Sequence, residues 1–182
     1  AAVLCQTVQS SMDSGAIEKK DRSPVTIADF GSQALICRMI GKQFSQDSII
    51  AEETSAMLRE AENEALLQKL IEQVKVRRPA VNADAILSWI DRGNGEEYTN
   101  RFWTLDPIDG TKGFLRGEQY AIALALIVEG QLTVAAMGCP NLPYALGRKA
   151  MKGICFFAVK GRGTFALPLD GDGEPSRVTV GK

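Results

Sequence analysis

The 182 residues contain no histidine. That absence removes imidazole general bases, Ser-His-Asp triads and histidine-based zinc sites together. Catalysis would have to come from carboxylates, hydroxyls, lysine or a bound metal. Cysteine is scarce, with Cys5, Cys37, Cys139 and Cys155 far apart and in no CxxC spacing. They read as reduced thiols of an intracellular protein. There is no long apolar run, and "YAIALALIV" at 120–128 is too short to span a bilayer. Neither charge sign dominates, with 21 Lys and Arg against 22 Asp and Glu. Bulk electrostatics therefore argues for neither nucleic-acid nor membrane-surface binding.

The composition is otherwise that of a globular domain, 45% hydrophobic and 24% charged. Helical periodicity predicts a helix over 3–12 from Val3, Leu4, Val8 and Met12, with Gly15 as its stop. A charged link over 16–25 follows. Thr26 is the expected N-cap of a second helix running to Phe44, with Ile27, Phe30, Ala34, Leu35, Met39 and Ile40 along one side. "SIIAEET" reads as a short strand entering acidic residues. Further helices are expected over 55–76 and 83–91. The period then changes to that of strands. "FWTL" is one strand. "YAIALALIV" and "QLTVAAMGC" flank the turn signal Glu129-Gly130, and "ICFFAV" and "TFALPL" flank "KGRG". Helices first and strands second predict an α+β fold, with helices packed on an antiparallel sheet.

Chemistry concentrates in "WTLDPIDGTKGFLRG", from Trp103 to Gly117. Asp106 and Asp109 sit at a strand end, three residues apart, across a turn that Pro107 stiffens. Two carboxylates aimed at one point repel, and a hard cation relieves them: Mg²⁺ before Ca²⁺, with Mn²⁺ also suited. The carbonyl of Ile108 offers another oxygen. For an isolated DxxD, two Asx-turn caps are the plainer explanation. Gly110 and Thr111 tip the balance, because free N–H groups at a helix start bind anions. Glu52 and Glu53 in "IIAEET" and Asp29 in "SPVTIADF" complete a candidate set. Each of them alone reads equally well as an acid near a helix N-terminus.

Taken in order, "SPVTIADF", "IIAEET" and "WTLDPIDGTKGFLRGEQYAIALALI" resemble the inositol monophosphatase superfamily of Mg²⁺-dependent, Li⁺-sensitive phosphatases. "KGFLRGEQYA" and "CPNLP" are similar to its 3'(2'),5'-bisphosphate nucleotidase branch. The resemblance implies that Glu52, Asp106, Asp109 and the Ile108 carbonyl hold metal, two or three Mg²⁺ per intact site, with Asp106 bridging two ions. It implies that Asp29 and Thr111 orient and help deprotonate the attacking water. The backbone at Gly110 and Thr111 would bind the scissile phosphate. Two Mg²⁺ over three carboxylates leave a net charge of about +1 for a phosphate dianion. The implied substrate is a small phosphorylated nucleotide, 3'-phosphoadenosine 5'-phosphate, cleaved to AMP and phosphate, with no nucleic-acid or membrane partner. An inositol or sugar phosphate is the alternative substrate, and an inactive metal-binding module the alternative role.

Members of that superfamily stack a second domain into a layered αβαβα sandwich, and that domain supplies one more ligand aspartate in a "WD" motif. Here Trp89 is followed by Ile and Trp103 by Thr. The chain starts at Ala1 within a helical pattern and stops in "SRVTVGK". The expectation is an N-terminal metal-binding α+β domain over 1–182, truncated at both ends and lacking the C-terminal domain, from an intracellular protein of cytoplasm or organellar stroma. Its oligomeric state is left open.

Overall fold

The computed structural model describes residues 1–12, 23–146, 149–169 and 173–179. Helix α1 spans Ala2–Ser10 and α2 spans Ser23–Gln43. Strand β1 is Ser48–Ala51, followed by helices α3, Glu64–Lys75, and α4, Ala83–Asp91. Strand β2, Arg101–Asp109, leads into the one-turn helix α5, Thr111–Leu115. Strands β3 to β7 follow: Ala121–Val128, Gln131–Leu146, Lys149–Val159, Gly163–Pro168 and Ser176–Val178. The seven strands lie side by side in chain order. All neighbours are antiparallel except β1 and β2, which are parallel. Parallel strands need a long crossover, and α3 and α4 provide it.

The expected α+β class is what the chain adopts, and both hairpins form where the turn residues stand. Glu129 carries φ of 51° and Gly130 of 71° in the tight turn between β3 and β4. Helix α4 matches its predicted span, because Ile86, Leu87 and Ile90 recur at helical spacing and the Asn82 side chain accepts from the Ala85 N–H at 3.0 Å.

Three expectations differ. Thr26 is not the N-cap of α2. The helix begins three residues earlier, at Ser23, because Pro24 suits a first turn whose N–H groups have no helical partner. The stop expected at Gly15 and most of the expected link lie outside the described residues. α1 itself closes at Ser10, with Ser11 as its cap. The helix expected over 55–76 is broken. Two 3₁₀ turns, Met57–Arg59 and Ala61–Asn63, precede α3, and Glu60 between them is extended, with ψ of 138°. Ser55 causes part of this. Its N–H and hydroxyl both donate to Asp91 on α4, at 2.9 and 2.7 Å, and Arg59 joins the same carboxylate at 2.9 Å.

The core lies between the helices and one face of the sheet. α2 packs against α1, α3, α4, α5 and β2, so it is buried around more than one side. Ala28, Phe30, Ala34 and Cys37 are sequestered, as are the polar Asp29, Ser32 and Gln33, whereas Met39 is exposed. Trp103, Leu105, Ile122 and Leu126 meet the helices from the sheet. Alternate strand positions face the other way. Thr104, Asp106, Ala123, Ala125, Met137 and Phe156 line a shallow apolar depression of about 470 Å³ there.

Candidate metal and phosphate site

The "DPIDG" segment is a bulge rather than a strand end. β2 runs through Asp109, but its register with β3 shifts between Asp106, opposite Ala123, and Asp109, opposite Ala121. Pro107 has no N–H to lose from the ladder and suits a bulge. Pro107 and Ile108 are buried and anchor the turn. Asp106 stabilises it further, accepting from the Ile108 N–H at 3.1 Å. Part of the Asx-turn reading is therefore correct for Asp106, and among the described residues no hydrogen bond or ion pair engages Oδ2.

Gly110 follows in the left-handed region, with φ of 92° and ψ of 43°, a conformation that favours glycine. It turns the chain into α5, whose first bond runs from the Phe114 N–H to the Gly110 carbonyl at 3.0 Å. The other end of α5 is pinned. Phe114 meets Tyr120 edge to face with centroids 4.9 Å apart, and Gln9 donates to the Phe114 carbonyl at 2.9 Å. Asn141 donates to both Gln9 Oε1 and the Glu118 carbonyl, each at 2.6 Å. Asp109, Gly110 and Thr111 are exposed.

Five carboxylates share one field. Asp29 is only 7% exposed. Burial, and then the charges of Glu53, Glu52 and Asp106, push its carboxyl up to about 8. Asp106 is raised by burial and by Glu52 and Asp109, against the Ile108 N–H, which favours its ionised form. Glu53 is raised by burial and by Glu52. None of the five has an ion-pair partner among the described residues, where the bridges are Arg59–Asp91, Arg101–Asp47 and Arg116–Glu118. Carboxylates that raise one another's proton affinity, with no basic side chain to relieve them, suit an oxygen-loving divalent cation. Among the described residues, no three acidic or cysteine side chains are drawn together as a ready-made ligand shell.

The structure thus brings Asp29, Glu52 and Asp106 into mutual electrostatic range, from α2, the end of β1 and the β2 bulge, and Asp109 into range of Asp106. It puts the Ile108 carbonyl, Gly110 and Thr111 in the same turn. Two residues that sequence reasoning passed over hold these elements. Gln33, one helical turn beyond Asp29, accepts from the Glu53 N–H at 3.0 Å and donates to the Glu53 carbonyl at 2.5 Å. Asp47, ahead of β1, accepts from Arg101 Nε at 2.8 and 2.9 Å and from the Trp103 indole at 2.8 Å. The i to i+4 spacing of Asp29 and Gln33 was the available signal for the first. Nothing in the sequence marked the second.

Comparison with known proteins gives the family of the chain. The model of the inositol monophosphatase family matches residues 1–180. A 3'(2'),5'-bisphosphate nucleotidase of Schizosaccharomyces pombe is 43% identical over 188 residues, covering 97% of this chain and 53% of that protein. The 3'(2'),5'-bisphosphate nucleotidase 1 of Arabidopsis thaliana is 40% identical over 200 residues, covering 99% and 57%. The chain thus spans about half the length of the curated relatives it matches. Among solved structures, a Thermotoga maritima IMPase aligns with 98% of this chain and 49% of its own, at 19% identity and a TM-score of 0.47.

Proposed function

Because this chain belongs to the inositol monophosphatase family, we propose that it is the metal-binding half of a phosphomonoesterase that removes the 3'-phosphate of 3'-phosphoadenosine 5'-phosphate. The observation that carries the reading is the coupling of Asp29, buried on α2, to Glu53, Glu52 and Asp106, and of Asp106 to Asp109 in the β2 bulge, with no ion-pair partner among the described residues. Relatives named as bisphosphate nucleotidases support the substrate class. Relatives of nearly twice the length support a second domain that completes the pocket.

Glu52, Asp106, Asp109 and the Ile108 carbonyl would hold Mg²⁺, two or three ions in the intact site. When bound, the metal supplies charge neutralisation at the phosphate oxygens and a lowered pKa for a coordinated water. The chain's own residues do the rest. Asp29 is held in a protonation range where its carboxylate can take a proton near neutral pH. The Thr111 hydroxyl, at the opening of α5, shares the orientation of the water. The backbone N–H groups of Gly110 and Thr111 offer donors to the phosphate. α5 has five residues, so the individual N–H groups matter here more than a helix dipole.

The test measures phosphate release from 3'-phosphoadenosine 5'-phosphate and from inositol 1-phosphate. It uses this chain alone and joined to the C-terminal half of a relative, with Mg²⁺ and with EDTA. Release that needs Mg²⁺ and the joined half, and prefers the nucleotide, is expected. Equal release with EDTA, or none from the joined protein, overturns the reading.

A further inference from the structure

Gln33 is fully buried, at 0% exposed, in the middle of α2. A buried amide is costly unless its donors and acceptor are satisfied. Here three bonds satisfy it, and all run to backbone from distant parts of the chain. Oε1 accepts from the Glu53 N–H, and Nε2 donates to the Glu53 and Ile90 carbonyls, the latter at 3.0 Å. The side chain thus pairs with the Glu53 peptide group as a second strand would, and ties it to the last turn of α4. The space is built for it. A Cβ on Gly93 would stand 2.7 Å from Gln33 Nε2 and 2.8 Å from the Ala51 side chain.

Its place on α2 gives the clamp a consequence. Asp29 lies four residues earlier, on the same helix face. Glu52 immediately precedes the clamped peptide. We propose that Gln33 is a positioning residue that fixes the Glu52–Glu53 peptide against the Asp29 face of α2, and so sets the geometry in which the site takes up its divalent cation. This rests on the metal-site reading above. Side chains that only orient ligands are worth about 10- to 100-fold in metal affinity.

The experiment titrates Mg²⁺ alone into the unaltered chain, Gln33→Met, Gly93→Ala and Val74→Ala by calorimetry, alongside thermal melts and amide exchange at Glu53. Gln33→Met keeps the length of the side chain and loses its three bonds. Gly93→Ala keeps the amide but crowds it, and serves if Gln33→Met fails to fold. Val74→Ala opens the core at α3, away from the clamp, as a control for lost stability alone. The expected result is a loss of Mg²⁺ affinity of about tenfold or more in both clamp variants, with faster exchange at Glu53, and unchanged affinity in the control. Mg²⁺ binding by Gln33→Met equal to that of the unaltered chain overturns the positioning role and leaves the metal site standing. An equal loss in Val74→Ala also overturns it, because lost stability alone would then account for the effect. Failure of the unaltered chain to bind Mg²⁺ while the Glu53 amide stays protected overturns the metal-site reading and this proposal with it.

Discussion

The carboxylate of Asp106 accepts a hydrogen bond from the backbone of Ile108, 3.1 Å away, across the proline that separates them. One oxygen of the side chain thus maintains the turn and leaves the other for a different role. The two roles separate under mutation. Asp106→Asn keeps an acceptor for the Ile108 N–H and should fold with little loss, while Mg²⁺ binding disappears from a calorimetric titration. Asp106→Ala should lose binding and also about 1 kcal/mol of stability in urea. Full Mg²⁺ affinity in the Asn variant would show that Asp106 is a turn cap and nothing more.

Asp29 should set stability against function. A buried acid with a raised pKa binds its proton longer in the folded state than in the unfolded one. Its contribution is fully present below the unfolded value near 4 and is lost as pH rises toward about 8. Metal-free protein should therefore melt at progressively lower temperature between these limits. Asp29→Asn should flatten that slope, raise the melting temperature at pH 8 in EDTA, and abolish phosphate release by the joined protein. An unchanged slope in the variant would remove Asp29 as its source.

Asp47 should act in the opposite direction. Burial works to raise its pKa, but hydrogen bonds from Arg101 and Trp103 and the charges of Arg101 and Arg92 outweigh it and hold the carboxyl low. The stability it contributes is present above about pH 4, the unfolded value, and is lost as pH falls below that through the lower folded one. Asp47→Asn should be less stable than the parent at pH 7 and converge with it in acid. Parallel melting curves for the two proteins across pH 2–7 would contradict this.

Two glycines near the bulge should respond differently to one methyl group. A Cβ on Gly113 would run into the Gln119 carbonyl, which is backbone and cannot swing away. Gly117, with φ of 70°, has nothing within 4 Å of the same atom. Gly117→Ala should cost about 1 kcal/mol for the left-handed backbone alone. Gly113→Ala should cost about 2–3 kcal/mol for overpacking and displace α5. Chemical denaturation of both variants decides the order, and an equal cost would refute the close approach.

What could be read from the sequence was whatever local pattern controls. α4 carries its own cap and stripe, and the hairpins carry their own turn residues. The candidate site was legible as a set of residue types because "DPIDGT" is compact and chemically loaded. Features decided across the chain were not legible. The 55–63 segment has helical composition, yet Asp91 on a later helix claims Ser55. The parallel pairing of β1 with β2 leaves no mark in either strand, whose residues would suit an antiparallel neighbour equally well. Gln33 reads as an ordinary helix residue until Glu53 and Ile90, 20 and 57 positions away, are seen to surround it.

The strictly sequential order of the sheet bears on how the molecule forms. From β2 to β7 each strand joins its chain neighbour, so pairing can advance by short loops that close quickly. β1 is the exception, since it must wait for the helical crossover before it finds β2, with Ala51 reaching Leu105. Loop closure of that length is the slow kind. Glu52 follows directly on Ala51, and Asp106 directly on Leu105. Pairing of β1 with β2 thus delivers one group of carboxylates to the other, and a refolding chain should gain its affinity for a cation no earlier than that pairing.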